Sequence, residues 1–296
     1  MHVFITGASG LIGCELVETL QVAGHQVTRL VRHPAKSDEE RQWDSTAVSL
    51  SPTLLEECDV LVHLAGESIA AGRWTKRRKA RIFQSRVETT KLLANTISQM
   101  EQPPQAFVVA SAVGYYGDAG ATVLTETSPP GHNFLAEVCQ AWEAAADPVR
   151  SLTRVVHVRT GMVLSEKGGA LTPMLTPFKL GLGGVIGSGK QFWSWITLRD
   201  ITRLFAFVIE NELACGPING VSPHPVTAAE FTASLGKRCH RPTFLPVPAI
   251  VARMAIGEMA NDLILASTRV EPAAALALGF EFADPELQSA LAALPL

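Results

Sequence analysis

The sequence lacks the features that would place it in several classes of protein. No apolar run approaches the roughly 20 residues that a membrane-spanning helix needs, so we expect no association with a membrane. Only 18% of the 296 residues are charged and the net charge is −3, which argues against nucleic-acid binding. The sequence also contains no internal repeat and no low-complexity tract.

Paired cysteine motifs and metal-ligand spacings are missing as well. The cysteines are odd in number, widely spaced and without a CxxC pair: Cys14, Cys58, Cys139, Cys215 and Cys239. This pattern is typical of free thiols in a reducing compartment and predicts a cytoplasmic protein. The chain starts directly in a predicted strand, so we expect no signal peptide. The histidines have no ligand spacing, so we expect no metal.

What the sequence has is a glycine-rich turn between a strand and a helix. Apolar residues make up 47% of the chain, and Val3 to Ile5 form a short run typical of a buried parallel strand. Three glycines follow: Gly7 for a tight turn, Gly10 for close approach of a pyrophosphate, and Gly13 for packing of the new helix. The expected cofactor-binding residues here are Gly7, Ser9, Gly10, Leu11, Ile12 and Gly13.

The end of the second predicted strand indicates which dinucleotide is bound. NAD enzymes place a carboxylate there for the ribose 2′-hydroxyl, whereas this sequence has Arg32 and no carboxylate before Asp38. A guanidinium suits a 2′-phosphate, so we predict NADP as the cofactor. The alternative is a solvated arginine at a strand end.

Strand and helix patterns alternate through the first half of the chain and predict an α/β fold. We expect a Rossmann-type doubly wound parallel sheet with a smaller C-terminal α/β substrate domain. The predicted boundaries are residues 1–160 for the NADP-binding domain, with 196–221 returning to it, and 161–296 for the second domain. A short strand is expected between Trp43 and Leu50.

The strand that ends in Leu64, Ala65 and Gly66 is expected to border the cofactor, since ligands bind at the carboxyl ends of such strands. The alternative is a glycine that only closes a turn. In the following helix, Arg86 lies on the same face as Ile82 and points toward the strand ends, as a contact to the cofactor or to a substrate phosphate. Most of the neighbouring basic cluster, residues 73–81, is expected to face solvent.

These motifs resemble those of the extended short-chain dehydrogenase/reductase superfamily, and more closely the YfcH-type epimerase family. The resemblance rests on the glycine motif, on Ser111 with Tyr116-Gly117, on Ser85 to Thr90, and on Leu180 to Gly189. It covers nearly the whole chain and implies NADP binding, an unassigned substrate and a C-terminal part of unknown function. It also implies cofactor contacts from Arg32, Leu64, Ala65, Arg86 and Arg159.

The sequence departs from the superfamily at the catalytic helix. Members place a Tyr and a Lys four residues apart there, and the Lys lowers the pKa of the Tyr. This chain has Phe134 and Val138, or Leu135 and Cys139 if the register differs by one. Ser111 remains and can orient a carbonyl group. The candidate replacements are Tyr116, near the crevice, and the carboxylates Glu126 and Glu137, with Cys139 as a weaker nucleophile.

Two functions are compatible with this pattern. The first is an NADP-dependent oxidoreductase or epimerase acting on a small carbonyl or hydroxyl substrate, with Ser111, Tyr116 and Glu137 as the catalytic candidates. The second is a non-catalytic NADPH-binding sensor or scaffold, favoured by the missing Tyr and Lys. The substrate and the reaction direction are open, and so is the oligomeric state, for which a homodimer is one option.

Overall fold

A seven-stranded β-sheet lies at the centre of the protein, in a computed structural model that describes residues 1–295. The strands of this part of the chain are β1 (His2–Thr6), β2 (Gln26–Val31), β3 (Glu40–Gln42), β4 (Val60–His63), β5 (Ala106–Ala112), β6 (Val123–Leu124), β7 (Arg154–Thr160), β8 (Met162–Leu164), β9 (Phe192–Trp193), β10 (Trp195–Thr197), β11 (Gly216–Gly220), β12 (Val226–Thr227) and β13 (Arg269–Val270).

Helices cover both faces of this sheet and build the second part of the molecule. Those of the described residues are α1 (Leu11–Val22), α2 (Lys76–Ile97), α3 (Phe134–Ala144), α4 (Leu171–Lys179), α5 (Leu198–Glu210), α6 (Ala228–Arg238), α7 (Ala249–Ile256), α8 (Ala273–Ala277) and α9 (Leu287–Ala293). Short helical turns also occur, among them Val113–Tyr116 directly after β5 and Asn261–Leu265 after α7.

The central sheet has the strand order β11-β7-β5-β4-β1-β2-β3, and every pair in it is parallel. The chain moves outward from β1 to β2 and β3, and then returns to the other side of β1 with β4. The carboxyl ends of β1 and β4 therefore border the topological switch point, where doubly wound sheets bind ligands. This confirms the predicted Rossmann-type parallel sheet.

Two apolar layers explain why the inner strands read as continuous hydrophobic runs. One layer packs α1 and α5 against one face of the sheet through residues such as Leu16 and Phe205. The other packs α2 and α3 against the opposite face through residues such as Leu93 and Trp142. Val3, Phe4 and Ile5 are fully buried in β1 because both of its faces are covered.

The helix starts follow local side-chain chemistry. Thr75 accepts a hydrogen bond from Arg78 N at the start of α2, and Asn133 accepts one from Ala136 N at the start of α3. A capping box starts α6, where Thr227 and Glu230 bond reciprocally. The strand predicted between Trp43 and Leu50 was wrong in position. The strand is β3, and Trp43 follows it as a buried residue.

The second part of the chain has its own apolar cluster, built by α4, α6, α9 and short strand pairs. Trp195 is fully buried in it and donates its indole N–H to the His224 carbonyl, while Trp193 donates to the Ile264 carbonyl. Both tryptophans are therefore core residues. Strand β11 forms an edge of the central sheet and helix α8 packs against that sheet, so the chain returns to it late. Within residues 1–295 no helix combines the length and apolarity needed to cross a bilayer.

Candidate functional site

The turn from β1 into α1 lies directly against the end of β4. Gly7 has a φ of +72°, and a Cβ placed on it would lie 2.7 Å from Ala65 N and from Leu64 C. Gly7 is therefore required for two reasons: its backbone conformation is left-handed, and a neighbouring main chain occupies the space of a side chain. The backbones of two strand ends thus meet at the switch point.

Gly10 and Gly13 have different roles in the same turn. A Cβ on Gly13 would lie 2.3 Å from the Gly7 carbonyl oxygen, whereas a Cβ on Gly10 would lie 3.2 Å from the same atom. Gly10 is exposed and is the N-cap of α1, with no side chain bonded to the first turn of the helix. Its open backbone and the helix N-terminus form a cradle that suits an anion. Ser9 is exposed beside it, and Leu11 and Ile12 are half-buried.

The two glycines are expected to respond differently to alanine. Gly13→Ala should destabilise the fold by about 1–3 kcal/mol, because the added carbon overlaps the Gly7 carbonyl oxygen. Gly10→Ala should change the stability by less than about 1 kcal/mol, because the added carbon lies 3.2 Å from the Gly7 carbonyl oxygen and a shift of a few tenths of an ångström accommodates it. Thermal unfolding of both variants tests this, and equal melting temperatures would contradict the assignment of the roles.

Arg32 follows β2 on the same side of the cradle. Its side chain is exposed, and it forms no ion pair within residues 1–295. Arg29, earlier on β2, differs because its guanidinium lies 3.1 Å from the Glu39 carboxylate. Among the described residues Arg32 is therefore a cation without an ion-pair partner, and its contact to a 2′-phosphate stays a prediction.

Arg86 reaches the carboxyl end of β4 from α2. Its guanidinium donates to the carbonyls of Glu67 and Ile82, and its central carbon would lie 3.3 Å from a Cβ on Gly66. The same carbon is 5.1 Å from the centroid of the Trp142 ring. Burial lowers the pKa of Arg86. The structure thus places this cation beside Leu64, Ala65 and Gly66, as the helical periodicity predicted.

His63 is the buried neighbour of this region and holds the two strand ends together. Its Nδ1 lies 2.6 Å from Thr6 Oγ1 and its Nε2 lies 3.1 Å from Thr89 Oγ1, so it bridges β1 and α2. Burial and then the charge of Arg86 lower the pKa of His63 to about 3. The ring is neutral at pH 7, so its role here is structural. Within the described chain, no group of three or more metal-ligating side chains is present.

Ser111 belongs to a buried polar network rather than to an open surface. Its hydroxyl donates to Glu143 Oε1 at 2.7 Å, and Arg159 binds the same carboxylate with Nε and Nη2, both at 2.8 Å. Ser111 and Arg159 are directly paired across β5 and β7. Because Ser111 is buried and its proton is donated to Glu143, it has no proton to offer a substrate carbonyl, so its predicted role of orienting one is corrected to a part in this network.

The structure argues against Tyr116 as an acid. The residue is only 3% exposed, and its hydroxyl donates to Asn219 Oδ1 at 2.6 Å and accepts from Arg159 Nη1 at 2.9 Å. Burial raises the pKa of Tyr116 to about 12. A phenol that is enclosed and fully hydrogen-bonded has no path to a substrate, so the corrected role is to support the network.

Arg159 needs the same correction as a cofactor contact. Its side chain is 3% exposed and makes hydrogen bonds to Glu143, to Tyr116 and to the Glu126 carbonyl. Burial alone would lower the pKa of Arg159, but the hydrogen bonds and charge of Glu143 raise it above its ordinary value. The Arg159 guanidinium therefore binds groups of the protein itself and is not directed at a cofactor.

The two carboxylates proposed as acids do not reach the crevice. Glu137 is exposed in the first turn of α3, facing away from the buried side of that helix. Glu126 Oε1 accepts hydrogen bonds from Asn219 N and Ala274 N, which anchors the first turn of α8 beside β11. Neither carboxylate therefore replaces the missing pair, because one faces solvent and the other is used as an anchor.

Of the two residue pairs that the sequence left open on α3, Leu135 and Cys139 lie beside the turn after β5. A Cβ on Gly114, in the turn after β5, would lie 3.2 Å from Leu135 Cβ and 3.9 Å from Cys139 Sγ. Leu135 and Cys139 thus face the carboxyl end of β5. Burial raises the pKa of Cys139 to about 12, so the sulfur is a neutral thiol and a poor nucleophile.

Sequence reasoning missed Glu143 and Asn219. Glu143 lies one helical turn after Cys139, on the row that begins with Leu135, and this spacing was a usable signal. Asn219 lies at the end of β11, and only the late return of the chain to the sheet brings it to Tyr116. No local pattern could have indicated that contact.

A segment of the second part covers the start of α1. A Cβ on Gly169 would lie 3.1 Å from Leu11 Cδ2, and Lys167 Nζ lies 2.8 Å from Glu15 Oε2. The anion cradle therefore lies in a cleft with walls from both halves of the chain.

Comparison with known proteins gives two family matches. The NAD dependent epimerase/dehydratase family matches residues 3–219, and a domain of unknown function (DUF1731) matches residues 247–294. The human epimerase family protein SDR39U1 is 39% identical over 294 residues, which cover 98% of each chain.

Two solved structures resemble the fold at similar identity. The crystal structure of human SDR39U1 (isoform 2) with NADPH has a TM-score of 0.89 and 37% identity, covering 99% of this chain and 98% of that chain. A nucleoside-diphosphate sugar epimerase from Corynebacterium glutamicum has a TM-score of 0.83 and 37% identity, covering 99% of this chain and 57% of that chain.

Proposed function

The chain belongs to the NAD-dependent epimerase/dehydratase family, and on this premise we propose that it is an NADP(H)-dependent oxidoreductase or epimerase. Its substrate is a small molecule with a carbonyl or hydroxyl group. The human relative crystallised with NADPH supports the choice of cofactor. The bound nicotinamide supplies hydride chemistry, and the protein supplies binding and orientation.

The observation that carries this proposal is the anion cradle with Arg32 beside it. The uncapped N-terminus of α1 and the bare backbone of Gly10 fit a pyrophosphate. Arg32, exposed and without an ion pair in the described residues, fits the 2′-phosphate that distinguishes NADP from NAD. The binding segment is the one predicted, Gly7 to Gly13, with Leu64, Ala65 and Gly66 along the cofactor.

Arg86 fits the same cofactor at its other end. The superfamily holds the nicotinamide ribose near a Lys on the catalytic helix, and here Cys139 stands at that position. The Arg86 guanidinium comes from α2 and lies 5.1 Å from the ring of Trp142, on the helix that carries Cys139. We assign it to the cation role that the missing Lys leaves open.

A second candidate is a non-catalytic NADPH sensor or scaffold. It is favoured by one observation: Leu135 and Cys139 put an apolar side chain and a neutral thiol where the acid–base pair would stand. In this reading the cradle binds the cofactor, and the second part of the chain transmits its presence to a partner.

Turnover distinguishes the two candidates. Purified protein is incubated with NADPH or NADP⁺ and a panel of carbonyl compounds, alcohols and nucleoside-diphosphate sugars, the last because of the Corynebacterium neighbour. We expect absorbance changes at the nicotinamide band or an epimerised product with at least one class. Tight NADPH binding without cofactor oxidation, reduction or epimerised product would favour the sensor.

The proposal also includes the division of the chain into domains and its location in the cell. The division into residues 1–160 with 196–221, and 161–296, is supported by the pairing of β11 with β7 and by the separate apolar cluster. Five free thiols support a cytoplasmic location.

A further inference from the structure

The turn after β5 contains the only two tyrosines of the chain, and they face different environments. Tyr116 is enclosed in the network of Asn219 and Arg159. Tyr115 is partly exposed, and its ring meets that of Tyr116 edge-on with 5.3 Å between the centroids. The phenol of Tyr116 therefore has a structural role, whereas the phenol of Tyr115 is accessible from the solvent side.

Arg159 holds the ring of Tyr115 in place. The central carbon of its guanidinium lies 3.5 Å from the centroid of the Tyr115 ring. Arg159 is itself fixed by two hydrogen bonds to the Glu143 carboxylate. Glu143 and Arg159 therefore form a charged platform against which the Tyr115 ring is stacked.

The hydroxyl of Tyr115 is open. Within residues 1–295 the Tyr115 hydroxyl makes no hydrogen bond. The buried polar atoms without a partner do not include it, so the hydroxyl oxygen is accessible to solvent. The ring lies against Arg159 near the carboxyl end of β7, and its chain neighbour Gly114 faces Leu135 and Cys139, since a Cβ on Gly114 would lie 3.2 Å from Leu135 Cβ and 3.9 Å from Cys139 Sγ. The phenol is thus beside the place where the superfamily has its catalytic Tyr.

We propose that Tyr115 replaces the missing phenol of the catalytic helix and exchanges a proton with the substrate oxygen at the nicotinamide end of the crevice. This inference rests on the proposed function. During reduction of a carbonyl, the phenol O–H bond breaks and a new O–H bond forms on the substrate oxygen. The hydride comes from NADPH, so the substrate gains two electrons and two hydrogens. Oxidation of the alcohol reverses both transfers, with NADP⁺ as the oxidant.

Nitration of tyrosine tests this placement, because the chain has two tyrosines that peptide mass spectrometry resolves. The full-length protein is treated with tetranitromethane alone, with NADPH, or with 2′-phospho-ADP-ribose, which lacks the nicotinamide. We expect Tyr115 to be nitrated and Tyr116 to be spared. NADPH at ten times its Kd should reduce nitration of Tyr115 by about fivefold or more, since only about a tenth of the sites stay open. The truncated nucleotide should protect by less than about twofold at the same occupancy.

A second measurement separates proton exchange from a packing role. Tyr115→Phe keeps the ring on Arg159, so its Kd for NADPH and its melting temperature should match the wild type. For a carbonyl compound that the wild type reduces, turnover should fall by a factor of about 100 or more.

Three results would overturn the inference. Tyr115 nitrated equally with and without bound NADPH would place it away from the nicotinamide, and equal protection by the truncated nucleotide would place it at the phosphates. Unchanged turnover of Tyr115→Phe would remove its chemical role. Absence of NADPH binding would be seen directly in the Kd measurement and would remove the proposed function together with the inference.

Discussion

Alanine in place of Glu143 is expected to destabilise the protein by about 3–5 kcal/mol, because it leaves the Arg159 guanidinium buried without its counter-ion. Arg159 would keep only its bonds to Tyr116 and the Glu126 carbonyl, neither of which carries charge. Ser111 would lose its acceptor as well. The melting temperature measured by circular dichroism should fall by about 5–8 °C.

The matched control is Glu137→Ala on the same helix. Glu137 is exposed and makes no ion pair in the described part of the chain, so its loss should cost less than about 1 kcal/mol from the helix dipole. Similar melting temperatures for the two variants would contradict the buried network. Glu143→Gln, which keeps the shape of the side chain and removes the charge, should lie between them.

Arg32→Asp is expected to weaken NADPH binding about 100-fold and to change NADH binding by less than about threefold. A charge-assisted contact to a phosphate is worth about 1.5–3 kcal/mol, and a carboxylate at the same place adds repulsion. NADH lacks the 2′-phosphate, so it does not use the contact. Titration followed by nicotinamide fluorescence gives both dissociation constants.

Arg29→Ala is the control for this prediction. Arg29 lies on the same strand but is paired with Glu39, so its removal should leave both dissociation constants within about twofold. An equal loss of NADPH and NADH affinity in Arg32→Asp would mean that Arg32 does not contact the 2′-phosphate.

Much of the fold could be predicted because its signals are local. Inner strands such as β1 are covered on both faces, so their residues form apolar runs that a reader of the sequence can recognise. The glycine spacing of the first turn follows from backbone contacts that allow no side chain at Gly7 or Gly13. The direction of Arg86 followed from helical periodicity alone.

The catalytic end of the site was less predictable because its contacts join distant segments. Of the two adjacent tyrosines, position alone favoured Tyr116, and only the tertiary structure reveals that its hydroxyl turns inward to Asn219 on β11. Arg159 looked like a cofactor contact because it ends a strand, yet Glu143 on α3 binds its guanidinium. Both differences between the predicted and the observed role arise because the hydrogen-bond partner lies more than ten residues away along the chain.

The most direct test of the central claim is a calorimetric titration of the purified wild-type protein with NADPH and, separately, with NADH. The anion cradle and Arg32 predict saturable binding of NADPH with a Kd at least about tenfold lower than that of NADH, a difference of about 1.4 kcal/mol or more. No heat of binding for either nucleotide, or equal affinity for the two, would contradict the account.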